Sequence, residues 1–259
     1  MTDPSRSAVS VVLPAYRLGH TIATNIERVV ATFPADGSVE VVVVDDGSSD
    51  NTYAEARRAA SAHPTVNVVR HETNRGKGEA LFSGTRTARG DIVVFLDADL
   101  DLPPEQVPGL LKQMDGVDVL VGAKRKSMGE GRYPLARRVL SRLFALCTVG
   151  IFRLPIQETQ TGLKILRRAV LDEVLPQMRI HGYAYDLELL VRAHRAGFVV
   201  REAVVDLGPS ASTAPLRLNM LWQMGRDTLR LLWWIATGRL GSNERNPSSD
   251  AGWSTTPPR

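Results

Sequence analysis

Four consecutive valines at residues 41–44, closed by Asp45, Asp46 and Gly47, constrain this chain more than any other stretch. A strand with one wet face alternates apolar and polar residues, and this run has no wet face. It therefore reads as a strand buried on both sides, which belongs in a parallel sheet with helices packed above and below.

The neighbouring segments fit that sheet. Residues 8–16 (AVSVVLPAY) read as a first strand, stopped by Pro14, and 20–33 carry apolar residues at helical spacing. Residues 39–52 form the second strand and its turn, 53–63 a helix and 65–71 a third strand. Residues 74–88 read as a glycine loop followed by a helix, 91–103 as a fourth strand, 104–114 as largely helical and 117–125 as a fifth strand. Strand and helix alternate four times, the signature of a doubly wound, mostly parallel sheet. Such sheets bind ligands at the carboxyl ends of their strands. There the sequence places Tyr16, Asp45 with Asp46, the loop around Lys77, and the triplet Asp97, Asp99 and Asp101, all expected on one edge.

After residue 125 the pattern changes. Residues 167–179 and 183–196 read as helices, the second capped by Gly197, and 198–208 as another strand. Residues 216–237 read as an amphipathic helix with Leu218, Leu221, Trp222, Leu229, Leu232 and Trp233 in one stripe, flanked by Arg217, Arg226 and Arg230. The expected organisation is a flexible start at 1–7, a catalytic domain at 8–212, a membrane-surface helix region at 213–240 and a disordered tail at 241–259.

Composition excludes several classes. One cysteine, Cys147, leaves no internal disulfide framework and no cysteine-based zinc site. A net charge of +4 is too small a bias to argue for nucleic acid. No signal-peptide pattern opens the chain, so secretion is not expected. The longest apolar run, 143–152, is about half the roughly 20 residues a bilayer requires, so the expected protein is soluble or lies on a membrane surface. The sequence carries no reading of oligomeric state.

The triplet in FLDADLDLP carries the most chemistry. In an extended chain Asp97 and Asp99 would lie ~6.7 Å apart on one face. Two carboxylates at that distance repel by about 2.5 kcal/mol at an effective dielectric of ~20, so a partly buried pair calls for a cation. Hard ions such as Mg²⁺ or Mn²⁺ take such oxygens and share them with phosphate. The competing reading is an acidic turn that caps the helix after Pro103 and Pro104. A second acidic strand end, Asp45 with Asp46, favours the site over the cap: Ser48 or Asp50 suffices to cap the next helix, which leaves two acids unexplained. NRGKGEA lacks the spacing of a Walker loop, and Leu81 stands where a dinucleotide fingerprint has its third glycine. Lys77 is left to pair with Asp46 or with a phosphate.

Taken in order, LPAY, VVVVDDGSSDNT, NRGKGEA and FLDADLD resemble a family 2 glycosyltransferase with the GT-A fold. QETQTGLKILRRAV, IHGYAYDLELLVRAHRAGF and LWQMGRDTLRL extend the likeness to the polyprenyl-phosphate (dolichyl-phosphate) glycosyltransferases, above all the β-glucosyltransferase branch, over about residues 8–235. The resemblance implies that Pro14, Ala15 and Tyr16 line the base pocket. It implies that Asp46, with Asp45 beside it, holds the uracil or ribose and that Lys77 lies near the nucleotide. Asp97 and Asp99, with Ala98 between them, would bind the divalent metal and the donor diphosphate. Asp101 stands where mannosyl relatives often have glutamine and would be a third metal ligand. Asp186 falls near the place of a catalytic base in other members, and Gln160 and Thr161 near the sugar or metal. One departure is plain: where the family usually reads an asparagine and two acids after the tyrosine, this chain reads Arg17, Leu18 and Gly19.

Between Lys124 and Arg153 the basic residues Lys124, Arg125, Lys126, Arg132, Arg137, Arg138, Arg142 and Arg153 face one acid, Glu130. Arg137 and Ser141 are four apart and would share a helix face, and a guanidinium with a hydroxyl suits a phosphate monoester. The resemblance assigns them, with Lys124, to the lipid phosphate, and makes Arg137 a catalytic partner beside Asp99 and Asp186. The interleaved Leu135, Val139, Leu140, Leu143 and Phe144 fit a membrane-facing helix better than a solvated basic face.

The expected reaction is inverting transfer of a hexose from a nucleotide sugar, with UDP favoured over GDP-mannose, to a polyprenyl phosphate, on the cytoplasmic face of a membrane. Two readings compete with it. One is a haloacid-dehalogenase-like phosphatase, whose motif sits on the first strand with Thr or Val where this chain has Asp101. The other is a membrane-bound scaffold that has lost catalysis.

Overall fold

The structure is a computed structural model and describes residues 8–124, 150, 152–180, 182, 184–208 and 218–237. Its centre is a seven-stranded sheet in the order β3-β2-β1-β4-β6-β5-β7. The strands are β1 Val9–Ala15, β2 Val39–Asp45, β3 Val66–Arg70, β4 Ile92–Leu96, β5 Val119–Lys124, β6 Leu163–Arg167 and β7 Val200–Val205. The helices are α1 Ile22–Ala31, α2 Thr52–Ala62, α3 Lys77–Thr87, α4 Val107–Leu111, α5 Arg168–Val174, α6 Tyr185–Arg195 and α7 Leu218–Ala236.

The valine run behaves as its pattern requires. Val42 and Val44 point into one core with Val12, Phe95 and Leu166, under α3, α5 and α6. Val41 and Val43 point into the other with Val11, Leu13, Val94 and Ile165, under α1, α2 and α4. All four are at most 1% exposed. β2 pairs in parallel with both β1 and β3, as a strand apolar on both faces should.

Three elements differ from the sequence reading. Residues 163–167 form a strand, β6, which runs antiparallel between β4 and β5. The sheet is therefore mixed at that point, and β6 starts at the edge where β4 ends. The fourth strand stops at Leu96, because the chain turns where the Leu100 N–H donates to the Asp97 carbonyl at 3.0 Å. The helix expected over 104–114 is a 3₁₀ turn at Pro104–Gln106 followed by the short α4.

The C-terminal helix α7 packs one face on the core: Leu231 is fully buried, and Leu232, Trp234 and Ile235 lie against the same cluster. Leu229 and Trp233, from the expected apolar stripe, are exposed on the other side. Among the described residues no helix is long and apolar enough to cross a membrane. The expected segments 1–7 and 241–259, and the basic stretch containing Arg137 and Ser141, lie outside the described residues.

Candidate active site

Loops from five strand ends and the start of α6 enclose a cleft of about 830 Å³. The lining follows the sheet order β2-β1-β4-β6: Asp46 after β2 and Pro14, Ala15, Tyr16 and Leu18 after β1 stand at the first end. Asp97, Ala98 and Asp99 after β4 come next, with Lys77 on Asp97, then Gln160 before β6, and with it Gly182, Tyr185 and Asp186, the last held by Lys164 of that strand.

At the first end, Tyr16 is 41% exposed and the Arg17 guanidinium lies 5.1 Å from its ring. The segment that replaces the family's usual acids is pinned to the next turn by its backbone. Arg17 N–H donates to Ser48 Oγ at 3.0 Å, Leu18 N–H to Thr52 Oγ1 at 2.8 Å and Gly19 N–H to Asp50 Oδ2 at 3.1 Å. A Cβ at Gly19 would lie 1.9 Å from Asn51 Oδ1, so a larger residue there would displace the exposed Asn51 side chain. Asp50 also accepts the Thr52 N–H at the start of α2, whereas the Ser48 hydroxyl is turned toward Arg17.

The paired aspartates do different things. Asp45 is fully buried and does not line the cleft. It accepts the Ser48 N–H at 3.2 Å and lies 3.4 Å from Arg70 Nε, so of the two aspartates only Asp46 faces the cleft. Asp46 Oδ1 accepts from His71 Nδ1 at 2.8 Å and from the Arg75 N–H at 2.9 Å, while Oδ2 accepts the Gly76 N–H at 2.8 Å. A carboxylate can only accept, so a ring proton sits on Nδ1 toward Asp46, and Nε2 lies 2.9 Å from Ser83 Oγ. Burial works against the Asp46 charge, but His71 and the two amides outweigh it and hold the carboxyl below the ordinary aspartate range.

That clamp fixes the glycine loop. Gly76 has φ +95°, a left-handed conformation open to glycine, and α3 begins at the next residue. Lys77 pairs with Asp97, Nζ to Oδ1 at 2.6 Å, and not with Asp46. Packing around the ammonium opposes its charge, yet Asp97, Asp186 and Asp99 together raise its pKa above the ordinary lysine value.

The Asp97–Asp99 turn is held from two sides. Asn25 of α1 donates to the Ala98 carbonyl at 2.8 Å, and the Asp97 N–H donates to the Gly162 carbonyl at 3.0 Å. Gly162 lies so close that a Cβ would fall 2.2 Å from Asp97 Oδ2. Burial, then the neighbouring Asp97 charge, pushes the Asp99 carboxyl up. Two adjacent hard oxygen donors, one of them penalised for its charge, fit Mg²⁺ or Mn²⁺, which needs one or two carboxylates and completes its shell with phosphate and water. The described residues hold no cluster of three acidic or imidazole groups able to share a metal. Asp97 and Asp99 line the cleft and are the candidate ligands there, while Asp101, expected as a third, donates its N–H to Asp99 Oδ1 at 3.3 Å and does not line the cleft.

The far wall depends on β6. Lys164 is 1% exposed and holds Asp186 Oδ1 at 2.8 Å and the Thr161 carbonyl at 2.7 Å. Glu188 turns inward to Arg192 Nε at 2.8 Å and to the Arg179 and Ile180 amides, so it braces α6 while Asp186 faces the cleft. Gln160 Nε2 and the Tyr185 hydroxyl are buried without a hydrogen-bond partner among the described residues. Lys124 ends β5, exposed and outside the cleft lining, and its expected partners Arg137 and Ser141 lie outside the described residues.

Sequence reasoning missed His71, Asn25, Gly162, Lys164 and Tyr185. A single lysine inside the apolar LKIL was a usable signal, because a lysine in a buried strand requires a carboxylate partner. Asn25 carried no comparable signal.

A mixed sheet of this order, with a glycine-lysine loop and a two-carboxylate turn at one edge, defines a GT-A glycosyltransferase fold. The profile of Glycosyl transferase family 2 matches residues 10–175, and the chain belongs to that family. It is 31% identical over 237 residues to glycosyltransferase AglD of Haloferax volcanii, covering 89% of this chain and 38% of that one. It is 28% identical over 233 residues to dolichol-phosphate mannosyltransferase of Pyrococcus furiosus, covering 87% of this chain and 64% of that one. The chain thus spans well under half of the first relative and just under two thirds of the second. Glucosyl-3-phosphoglycerate synthase of Mycobacterium tuberculosis, crystallised with Mn²⁺, UDP-glucose and phosphoglyceric acid, superimposes with a TM-score of 0.65 at 26% identity, covering 88% of this chain and 78% of that one.

Proposed function

We propose that this chain transfers a hexose from a nucleotide sugar, with UDP-glucose the favoured donor, to a polyprenyl phosphate at a membrane surface, with inversion at the anomeric carbon. The observation that carries the reading is the order of groups along one cleft: an exposed aromatic at Tyr16, the Lys77–Asp97–Asp99 cluster, then Asp186 on Lys164. That order matches a base, a diphosphate and a sugar laid end to end. The acceptor class comes from the name of the Pyrococcus relative, and the donor from the glucosyl synthase with UDP-glucose.

The chemistry is a single displacement. An acceptor phosphate oxygen attacks the anomeric carbon as the bond from that carbon to the diphosphate oxygen breaks, and the nucleoside diphosphate leaves with the electron pair. A phosphate monoester is already ionised at neutral pH, so no strong base is required of the protein. Asp97 and Asp99 would hold a divalent cation, which supplies neutralisation of charge on the departing diphosphate. Lys77 lies in reach of the same diphosphate. Asp186, held by Lys164, orients the sugar hydroxyls against the reacting carbon. Lys124, Arg137 and Ser141 would seat the lipid phosphate. The protein would lie on the cytoplasmic face, held through α7 and the basic stretch. The phosphatase reading falls with family membership and with the motif's place on β4.

The test is a donor and acceptor panel: labelled UDP-glucose, GDP-mannose and UDP-N-acetylglucosamine, each with polyprenyl phosphate or with 3-phosphoglycerate, in Mg²⁺. Lipid-linked label from UDP-glucose is expected, and Asp99→Ala should cut it by about 10³-fold or more. Label from GDP-mannose alone would reassign the donor, and label on 3-phosphoglycerate alone would overturn the lipid acceptor.

A further inference from the structure

Lys77 reaches from the first residue of α3 to Asp97, 2.6 Å from its Oδ1. The other oxygen of Asp97 lies against Gly162. In this arrangement the lysine already occupies the side of Asp97 that faces the cleft. A divalent cation on the same carboxylate sits ~2.1 Å from its oxygen. An ammonium left at hydrogen-bond distance would then lie within roughly 4 Å of a double positive charge, and that repulsion outweighs its attraction to one carboxylate at 2.6 Å by about 1.3-fold. The two therefore compete for Asp97.

The lysine has somewhere to go without moving its backbone. The Arg75 and Gly76 amides are fixed on Asp46, so only the side chain beyond the start of α3 needs to swing. A donor diphosphate laid between Tyr16 and Asp186 passes beside it.

We propose that Lys77 is the counter-ion of Asp97 in the metal-free protein and exchanges onto the donor diphosphate when a divalent cation takes Asp97. This rests on the reading of Asp97 and Asp99 as metal ligands. Its consequence is coupling. Metal alone must unpair Lys77 from Asp97, its hydrogen-bonded carboxylate, whereas metal with nucleotide provides a replacement. Nucleotide alone finds the lysine still held by Asp97.

Titration calorimetry on the full chain closes the thermodynamic cycle with Mn²⁺, UDP and GDP, and whichever nucleotide the wild-type protein binds carries the comparison. Lys77→Met should bind Mn²⁺ alone about tenfold more tightly than wild type. Its metal-free nucleotide affinity should stay within about twofold, and its affinity at saturating Mn²⁺ should fall about tenfold, so the coupling factor drops about tenfold by linkage. Lys77→Arg, which keeps the charge and the pair, should restore weak binding of Mn²⁺ alone. A metal-free nucleotide affinity that falls as far as the Mn²⁺-loaded one would overturn the exchange, since the lysine would already face the phosphates. Mn²⁺ binding unchanged in Lys77→Met would overturn it as well. Failure of both proteins to bind Mn²⁺ would remove the ligand reading together with the exchange.

Discussion

Asp46 is 3% exposed, and its carboxylate takes hydrogen bonds from His71 and from the Arg75 and Gly76 amides. It shapes the loop that presents Lys77, and its charge is part of the fold's stability. Its folded pKa lies below the ordinary 3.8, so that contribution is fully present above about pH 4 and is lost as pH falls through the lower folded value. Asp46→Asn should cost about 2 kcal/mol at pH 7, with the difference from wild type shrinking below pH 4. Urea unfolding of both proteins from pH 3 to pH 7 measures it; a difference that does not vary with pH would contradict the assignment. The neighbouring Asp45 shows how far residues can be read from sequence. It continues the face of Val41 and Val43 into a fully buried position, which alternation foretells. Which face opens on the cleft depends on loops from distant strands, and no local pattern encodes that.

At the scale of elements, the parallel strands were legible because valine runs and helical spacing are local. β6 was not, because its five residues are flanked by Gly162 and by the helix-forming 168–174, and its partners β4 and β5 lie far away in sequence. This strand supplies the far wall of the site through Lys164. Lys164→Met keeps the volume but leaves Asp186 without its cation. The expected result is a kcat lower by about 10- to 100-fold with nucleotide affinity within twofold, since Lys164 acts through Asp186 and does not itself line the cleft. Steady-state kinetics beside UDP titration separates the two. An equal loss of nucleotide binding would mean that β6 had moved as a whole.

For the whole molecule, α7 joins the core through Leu231 and Ile235 while presenting Leu229 at 67% and Trp233 at 50% exposure, with Arg226 and Arg230 beside them. Exposed apolar side chains flanked by arginines suit an anionic lipid surface. Replacing Leu229 and Trp233 with serine should lower partition onto anionic vesicles about tenfold or more and leave UDP binding unchanged; co-sedimentation measures the first and calorimetry the second. The helix was foreseen from its periodicity, but its buried side was not, because both sides are apolar and only the sheet decides which one it takes.

The junction between Asp97 and Gly162 also sets a timetable. The cleft lining comes from two stretches of the chain, Pro14 to Asp99 and Gln160 to Asp186. At roughly 5–20 residues per second, the first stretch is made several seconds before the second leaves the ribosome. Until then the Asp97 N–H lacks the Gly162 carbonyl that accepts it, and a chain that stopped before residue 160 would be without Asp186 and the Lys164 that holds it.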